Sequence, residues 1–378
     1  MRVLILSCNT GEGHNSCAAA IQAEFESRGD QCLTMDALNF ISEGTSKFVS
    51  KWHVRLYRYF PEVFNKGYSF AEEHPSTLDE KSAAKRVLKL GCRKLRRFIT
   101  TLGFDAVICT HLFPALMMTE IQSHKPLAVK TAFIVTDYTA SPTAEDVRTD
   151  IFVTPYQNVN DDFAALGIPA ESLMPSGIPV RPMFFRHIDK AAAKENAGVN
   201  PQRKHLLIMS GSMGCGPIKK ILRDISENLP DDCEVTVVCG NNKRLFRRLS
   251  DEYAAFGNIN IRGYSKNISL LMDSADLYLT KPGGISVTEA ASMRLPMVFI
   301  DAVAGCEEYN KDFFLRTGGA VTGQTPKEIA RTSLRLLSDK DALEKMGDAL
   351  DAAVPHNAAA NILSEMSEAE EEKEEDLA

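Results

Sequence analysis

No apolar run in this 378-residue chain approaches the ~18 residues that a membrane-spanning helix needs. The apolar N-terminus, Arg2 to Cys8, is short and runs into a glycine-rich loop, with no small-residue cleavage site. It therefore reads as a first strand and not as a signal peptide. The nine cysteines are scattered, odd in number and free of any C-x-x-C spacing. That usage fits a reducing cytoplasm and argues against zinc. Acids outnumber bases overall, for a net charge of −7. The segment 365–378 accounts for this, with eight acids and one lysine, and its composition predicts a disordered tail. The rest of the chain is close to neutral. Within it, residues 46–104 hold 13 Lys/Arg against 5 Asp/Glu, a basic region suited to an anionic surface.

The length suffices for two domains, and 44% hydrophobic residues supply their cores. Residues 2–8 predict a buried parallel strand, followed by the loop Asn9–Ser16 and a helix from Cys17 to Arg28 ended by Gly29. Gly11 and Gly13 let the backbone turn tightly, and Asn15 or Ser16 can cap the helix. His14 stands where the loop meets the helix. A loop histidine there more commonly caps or packs, and it also suits a general base or a substrate ligand. In residues 46–70, Phe48, Trp52, Leu56, Tyr59 and Phe60 recur at helical spacing among Lys47, Lys51, His53, Arg55 and Arg58. In 81–104 an apolar stripe of Val87, Leu88, Leu95, Phe98, Ile99 and Leu102 lies beside Lys85, Arg86, Lys89, Arg93, Lys94, Arg96 and Arg97. Such helices lie in a membrane interface or pack on a sheet with their charges in water. No nucleic-acid recognition fold surrounds them. Strands at Phe104–Cys109 and Thr131–Val135 lead to Thr110-His111 and Thr136-Asp137-Tyr138. Residues at such strand ends face a ligand crevice, which makes Asp137 a candidate to orient or assist a catalytic group, or else a turn cap.

Ser176–Pro182 has the Gly/Pro density of a linker, continued by the polar 188–204 region. A second unit opens with a strand at 205–210, the turn Ser210–Pro217 and a helix from Ile218. The turn lacks the Gly-Lys-Ser/Thr ending of a P-loop, which excludes that route to ATP hydrolysis. The run Thr280-Lys-Pro-Gly-Gly284, between the strand 276–279 and a helix from Val287, repeats the strand–glycine turn–helix pattern. Such turns aim backbone N–H groups and a helix dipole at an anion. Glu289 suits a pair of sugar hydroxyls. Together they make a nucleotide site, although an ordinary βα turn fits the same spacing. After a strand at Val298–Asp301, the loop 304–310 carries Glu307, Glu308 and Asn310. Asp339-Lys340-Asp341 has D-x-D spacing but lies between helices, as a helix cap does. The resulting fold is α/β, with two Rossmann-like domains facing a central cleft: residues 1–180, a linker 181–204, residues 205–350, and a C-terminal segment 351–378.

Five segments in order carry a resemblance: Gly11-Glu-Gly-His14-Asn-Ser16, Gly177-Ile-Pro-Val-Arg-Pro182, Gly211-Ser-Met-Gly-Cys-Gly-Pro217, Thr280–Gly284 with Glu289, and Gly305-Cys-Glu-Glu-Tyr-Asn310. Through them the chain resembles the monogalactosyldiacylglycerol synthase and processive diacylglycerol glucosyltransferase family over roughly residues 1–350. The resemblance implies a GT-B fold and transfer of a hexose, galactose or glucose, from a UDP-sugar to a diacylglycerol-type lipid with inversion. It implies no cofactor and no metal. Gly211, Ser212, Met213, Gly214 and Gly216 would meet the diphosphate, and Gly263 and Tyr264 the uracil. Lys281, Pro282, Gly283, Gly284 and Glu289 would hold phosphate and ribose. Cys306, Glu307, Glu308 and Asn310 would lie near the hexose. His14 would be the base, with Asp137 its partner or rival, in an acceptor loop with Gly11, Gly13 and Asn15. Trp52, Arg55, Arg58, Lys89, Arg93, Arg96 and Arg97 would face an anionic membrane, giving a cytoplasmic protein peripherally bound to the inner face of the cell membrane. The chain departs from its relatives twice. Cys306 stands where the family usually has Gln, which bears on the donor sugar. Ser141-Pro-Thr-Ala144 replaces a His-Pro-x-Trp run on the acceptor side. A UDP-sugar epimerase and a catalytically silent UDP-sugar- or lipid-binding regulator are the competing readings.

Overall fold

The computed structural model describes residues 1–9, 12–42, 44–49, 51, 83–300 and 305–375. Gly11, Trp52, Arg55 and Arg58, and most of the helix expected over 46–70, lie outside the described residues. The chain forms two compact units. The first holds Met1–Arg181 and the segment from Pro355 onward, and the second holds Pro182–Val303 and Glu307–Val354.

The first unit runs β1 (Arg2–Ser7), α1 (Glu12–Ser27), β2 (Gln31–Asp36), α2 (Ala83–Leu102), β3 (Ala106–Cys109), α3 (Leu112–His124), β4 (Lys130–Ile134), β5 (Ile151–Val153), α4 (Asn160–Ala165) and β6 (Leu173–Met174). All its strand pairs are parallel, in the order β2-β1-β3-β4-β5-β6. Val3 to Leu6 are fully buried, as a parallel strand covered on both faces requires. Gly29, at φ +93°, closes α1, and the Asp30 N–H returns to the Phe25 carbonyl. Leu4, Leu6 and Cys8 share a core with Leu88, Cys92, Leu95 and Ile99 of α2. The spacing i, i+4, i+7, i+11 puts those four on one face of the helix. Gly91 allows the close approach: a Cβ there would lie 2.7 Å from Met117 Cε and 2.9 Å from Ile41 Cγ1. Val87, expected in the apolar stripe, is instead exposed, because the buried face is centred one residue further on.

The second unit runs α5 (Lys190–Ala197), β7 (Lys204–Met209), α6 (Ile218–Ser226), β8 (Cys233–Val238), α7 (Lys243–Glu252), β9 (Ile259–Arg262), α8 (Ile268–Ser274), β10 (Leu277–Thr280), α9 (Gly284–Ser292), β11 (Met297–Phe299), α10 (Cys306–Thr317), β12 (Ala320–Thr322), α11 (Pro326–Leu337) and α12 (Lys340–Ala353). Its sheet is also parallel, ordered β12-β11-β10-β7-β8-β9. Counted within the unit, this is the order of a doubly wound dinucleotide fold.

Two stretches differ from expectation. A third of the expected linker, 181–204, is α5. Asp189 caps it, accepting from the Ala191 and Ala192 N–H groups, and buried Lys194 ties it to Asp276 at 2.9 Å. The C-terminal segment is helical over α13 (Ala358–Glu375), not disordered from about 365. Its N-terminal half buries Ile362, Leu363 and Met366 in the first unit, where Lys130 donates to the Glu365 carbonyl at 2.7 Å. Acid-rich composition gave no sign of this helix's apolar root.

Candidate active site

In a doubly wound sheet, ligands bind beyond the carboxyl ends of the strands, where the strand order reverses. In the first unit that point lies between β1 and β3, whose ends align through the Leu6–Cys109 register. The connection after β1 brings His14, the third residue of α1, and the connection after β3 brings Thr110 and His111. His14 Nδ1 lies 2.8 Å from the Thr110 carbonyl oxygen. A carbonyl only accepts, so Nδ1 carries the proton and the neutral ring keeps its lone pair on Nε2. Thr136 Oγ1, after β4, stands 3.3 Å from the same Nδ1, and Thr110 Oγ1 donates to the His14 carbonyl at 3.2 Å. The His111 ring meets His14 edge to face, with centroids 4.5 Å apart. Burial pushes the His14 pKa below the usual histidine value. The Asp137 charge and the Thr110 hydrogen bond oppose that shift. A neutral, oriented imidazole with a carboxylate ready to stabilise its cation is the chemistry of a general base.

Asn15 does not cap α1. Its Oδ1 accepts from Ser7 Oγ at 2.7 Å and its Nδ2 donates to Asn9 at 3.0 Å, which braces the loop around His14. Gly13 is the second residue of α1.

In the second unit the order reverses between β7 and β10. The Thr280–Met209 register makes Ser210 and Lys281 leave the sheet side by side. Both glycine turns therefore meet there. Gly211, Gly214 and Gly216 take positive φ of +65°, +56° and +96°. Pro217, before α6, and Gly283, before α9, provide no side-chain cap, and the two helix N-termini lie at the same end of the sheet. Lys281 is buried and pairs with Glu307 at 3.1 Å. Glu289 is buried in the second turn of α9. Asn310 is fully buried and donates to the Pro282 carbonyl at 3.0 Å, so its amide nitrogen braces the turn instead of facing a hexose. Glu308 pairs with Lys311 one turn along α10, and half-buried Cys306 opens that helix. Gly263 and exposed Tyr264 follow β9, two strands away from β7.

On α2, Arg93 and Arg97 are exposed. Lys89 instead pairs with Glu120 of α3 at 3.0 Å, and Arg96 donates to the Lys125 carbonyl, because both flank the buried face. Asp339 caps α12, accepting from the Ala342 N–H at 3.0 Å. Among the described residues no cluster of three or more His, Cys, Asp or Glu could hold a metal ion, and no helix is long and apolar enough to cross a membrane.

The sequence reading missed Gly240, Asn241 and Asn242, which support the Ser210–Pro217 turn from the neighbouring connection. Asn242 Nδ2 donates to the Gly214 carbonyl at 2.9 Å. The only local signal is Gly-Asn-Asn after an apolar strand, which looks like any capped helix start.

Residues 14–180 match the monogalactosyldiacylglycerol (MGDG) synthase family and residues 217–351 the glycosyl transferases group 1 family. A processive diacylglycerol beta-glucosyltransferase of Staphylococcus saprophyticus is 26% identical over 362 residues, covering 94% of this chain and 90% of the relative. One from Bacillus subtilis is 28% identical over 348 residues, covering 91% and 89%. Among solved structures, MurG from Acinetobacter baumannii superposes with a TM-score of 0.66 at 16% identity, covering 97% of this chain and 99% of that one. The UDP-GlcNAc 2-epimerase of Neisseria meningitidis, solved with UDP-GlcNAc, gives 0.62 at 12%, covering 97% and 100%. These two likenesses concern the fold. With an MGDG synthase segment leading into a group 1 glycosyltransferase segment on two parallel doubly wound sheets, the chain is a hexosyltransferase of the GT-B fold that resembles the monogalactosyldiacylglycerol synthase and processive diacylglycerol glucosyltransferase family.

Proposed function

We propose that this enzyme transfers glucose or galactose from a UDP-sugar to the free hydroxyl of a diacylglycerol-type lipid, with inversion, at an anionic membrane surface. The carrying observation is His14, whose Nδ1–H is fixed on the Thr110 carbonyl and whose Nε2 is left as the basic atom. In the reaction the lipid oxygen attacks the anomeric carbon, the bond to the UDP oxygen breaks, and the hydroxyl proton passes to His14 Nε2. Asp137 stabilises the imidazolium that forms. Charge growing on departing UDP is met by the N–H groups of the two glycine turns, the N-termini of α6 and α9, and Lys281. These groups supply the positive charge from the chain itself, so turnover is expected to survive chelation of divalent ions. The relatives named diacylglycerol glucosyltransferases support the lipid acceptor.

The test is UDP release from UDP-glucose and UDP-galactose, with and without diacylglycerol, with the product weighed by mass spectrometry. Release that needs the lipid, with a lipid product heavier by one hexose, supports the proposal. Conversion of the UDP-sugar without lipid would assign an epimerase, and binding without release a regulator.

A further inference from the structure

The turn Ser210–Pro217 is held at three of its carbonyls by neighbouring donors. The Asn241 N–H donates to Ser212 O at 2.8 Å, Asn242 Nδ2 to Gly214 O at 2.9 Å, and Ser210 Oγ to Cys215 O. Every peptide of this turn is trans. In a trans peptide the carbonyl and the following N–H point in opposite directions. Pinning those carbonyls therefore turns the N–H groups of Met213, Cys215 and Gly216 away from the pins. Successive amides presented this way form an anion-binding concavity.

Two of the three pins come from the connection between β8 and α7, and the two connections interlock without spare room. A Cβ at Gly214 would lie 2.3 Å from Cys239 O, and one at Gly240 would lie 2.4 Å from Ser212 O. Asn242 does two jobs with one amide. Its Oδ1 accepts from the Leu245 N–H at 3.0 Å and caps α7. That bond identifies the oxygen, so the nitrogen faces Gly214. The cap thus fixes the side chain, and the side chain fixes the turn.

We propose that Asn242 is a positioning residue that sets the Ser210–Pro217 turn in its anion-binding form. The inference rests on the reading of this turn as the diphosphate site of a UDP-sugar. Asn242→Asp keeps an acceptor for the Leu245 N–H but sets oxygen against oxygen at Gly214. Asn242→Ser keeps a neutral capping oxygen and removes the donor. Calorimetric titration of the full chain with UDP and with inorganic pyrophosphate is expected to show affinity lower by about tenfold in both variants, the loss of one oriented hydrogen bond and the order it imposes. The KM for the UDP-sugar should rise in parallel while the KM for the lipid holds, a split that general loosening of the fold would not produce. Thermal midpoints near that of the parent would mark the cap as kept. Either folded variant binding UDP as tightly as the parent overturns the proposal. Weakening in the Asp variant alone also overturns it, since that result reports charge repulsion. Failure of the parent chain to bind UDP or pyrophosphate would instead remove the donor-site reading, and this inference with it.

Discussion

His14 takes its chemistry from one hydrogen bond. With Nδ1 committed to the Thr110 carbonyl, only Nε2 can accept a proton. His14→Ala is expected to lower turnover by on the order of 10²–10⁴ while UDP affinity, measured by titration, stays near the parent value. Turnover at the parent level would reassign the base to Asp137. His111 is a different case. Its Nδ1 accepts from the Phe113 N–H at 3.0 Å and caps α3, so its neutral ring carries the proton on Nε2. The His111 ring meets His14 edge to face, with centroids 4.5 Å apart, and so holds it in place. Asparagine also caps well, so His111→Asn should hold the thermal midpoint and lose turnover. His111→Ala should lose both, with about 1 kcal/mol of stability going with the cap. Undiminished turnover in the Asn variant would reduce His111 to its cap.

At the scale of the element, α2 is the informative helix. Its core face is Leu88, Cys92, Leu95 and Ile99, and its opposite stripe carries Arg86, Leu90, Arg93 and Arg97 at the same spacing. Leu90 is 70% exposed in the middle of that stripe. An apolar side chain ringed by arginines suits a bilayer interface. Basic residues near an anionic surface contribute roughly 1 kcal/mol each. Arg93→Glu combined with Arg97→Glu should therefore cut flotation with anionic vesicles sharply and leave the weak binding to neutral vesicles unchanged. Equal flotation of parent and variant would move the docking surface elsewhere. The C-terminal helix makes a second element-scale case. Truncation after Ala353 removes the buried Ile362, Leu363 and Met366, each worth roughly 1.5–3 kcal/mol, so the thermal midpoint should fall by many degrees. A disordered tail would leave it in place.

For the whole molecule, one source of acid sensitivity lies in the second unit. His205 is fully buried between Thr236 Oγ1, at 2.9 Å from Nε2, and Ser274 Oγ, at 3.1 Å from Nδ1. Burial lowers its pKa to about 4, with the nearby Asp276 charge opposing. The folded state thus refuses a proton that the unfolded chain binds below about pH 6.5. Stability from this residue is complete above that pH and drains away as pH falls towards 4, by roughly 3 kcal/mol in all. The urea midpoint should drop between pH 6.5 and 4, and less steeply in His205→Asn. Equal slopes in the two proteins would assign the acid sensitivity to other groups.

Much of this was legible along the chain because it is local. Continuous apolar runs mark parallel strands, and glycine turns entering helices mark the strand ends that bind anions. Gly211–Gly216, Thr280–Gly284 and His14 could therefore be placed beyond strand ends from sequence. Other features depend on strand order, which no window of residues contains. Parallel pairing sets β7 beside β10 and β1 beside β3, and so brings Lys281 beside Ser210 and His111 against His14. It also lets Asn242 hold a turn 28 residues away, turns Asn310 inward and binds Lys89 to Glu120. Composition told that the C-terminus is acidic, but burial of three apolar side chains made its root a helix. Local patterning settles which residues form strands, turns and caps, because those follow from neighbouring dihedrals and side chains. Which groups meet across the sheet, and which polar atoms are already occupied, follows from packing at long sequence separation.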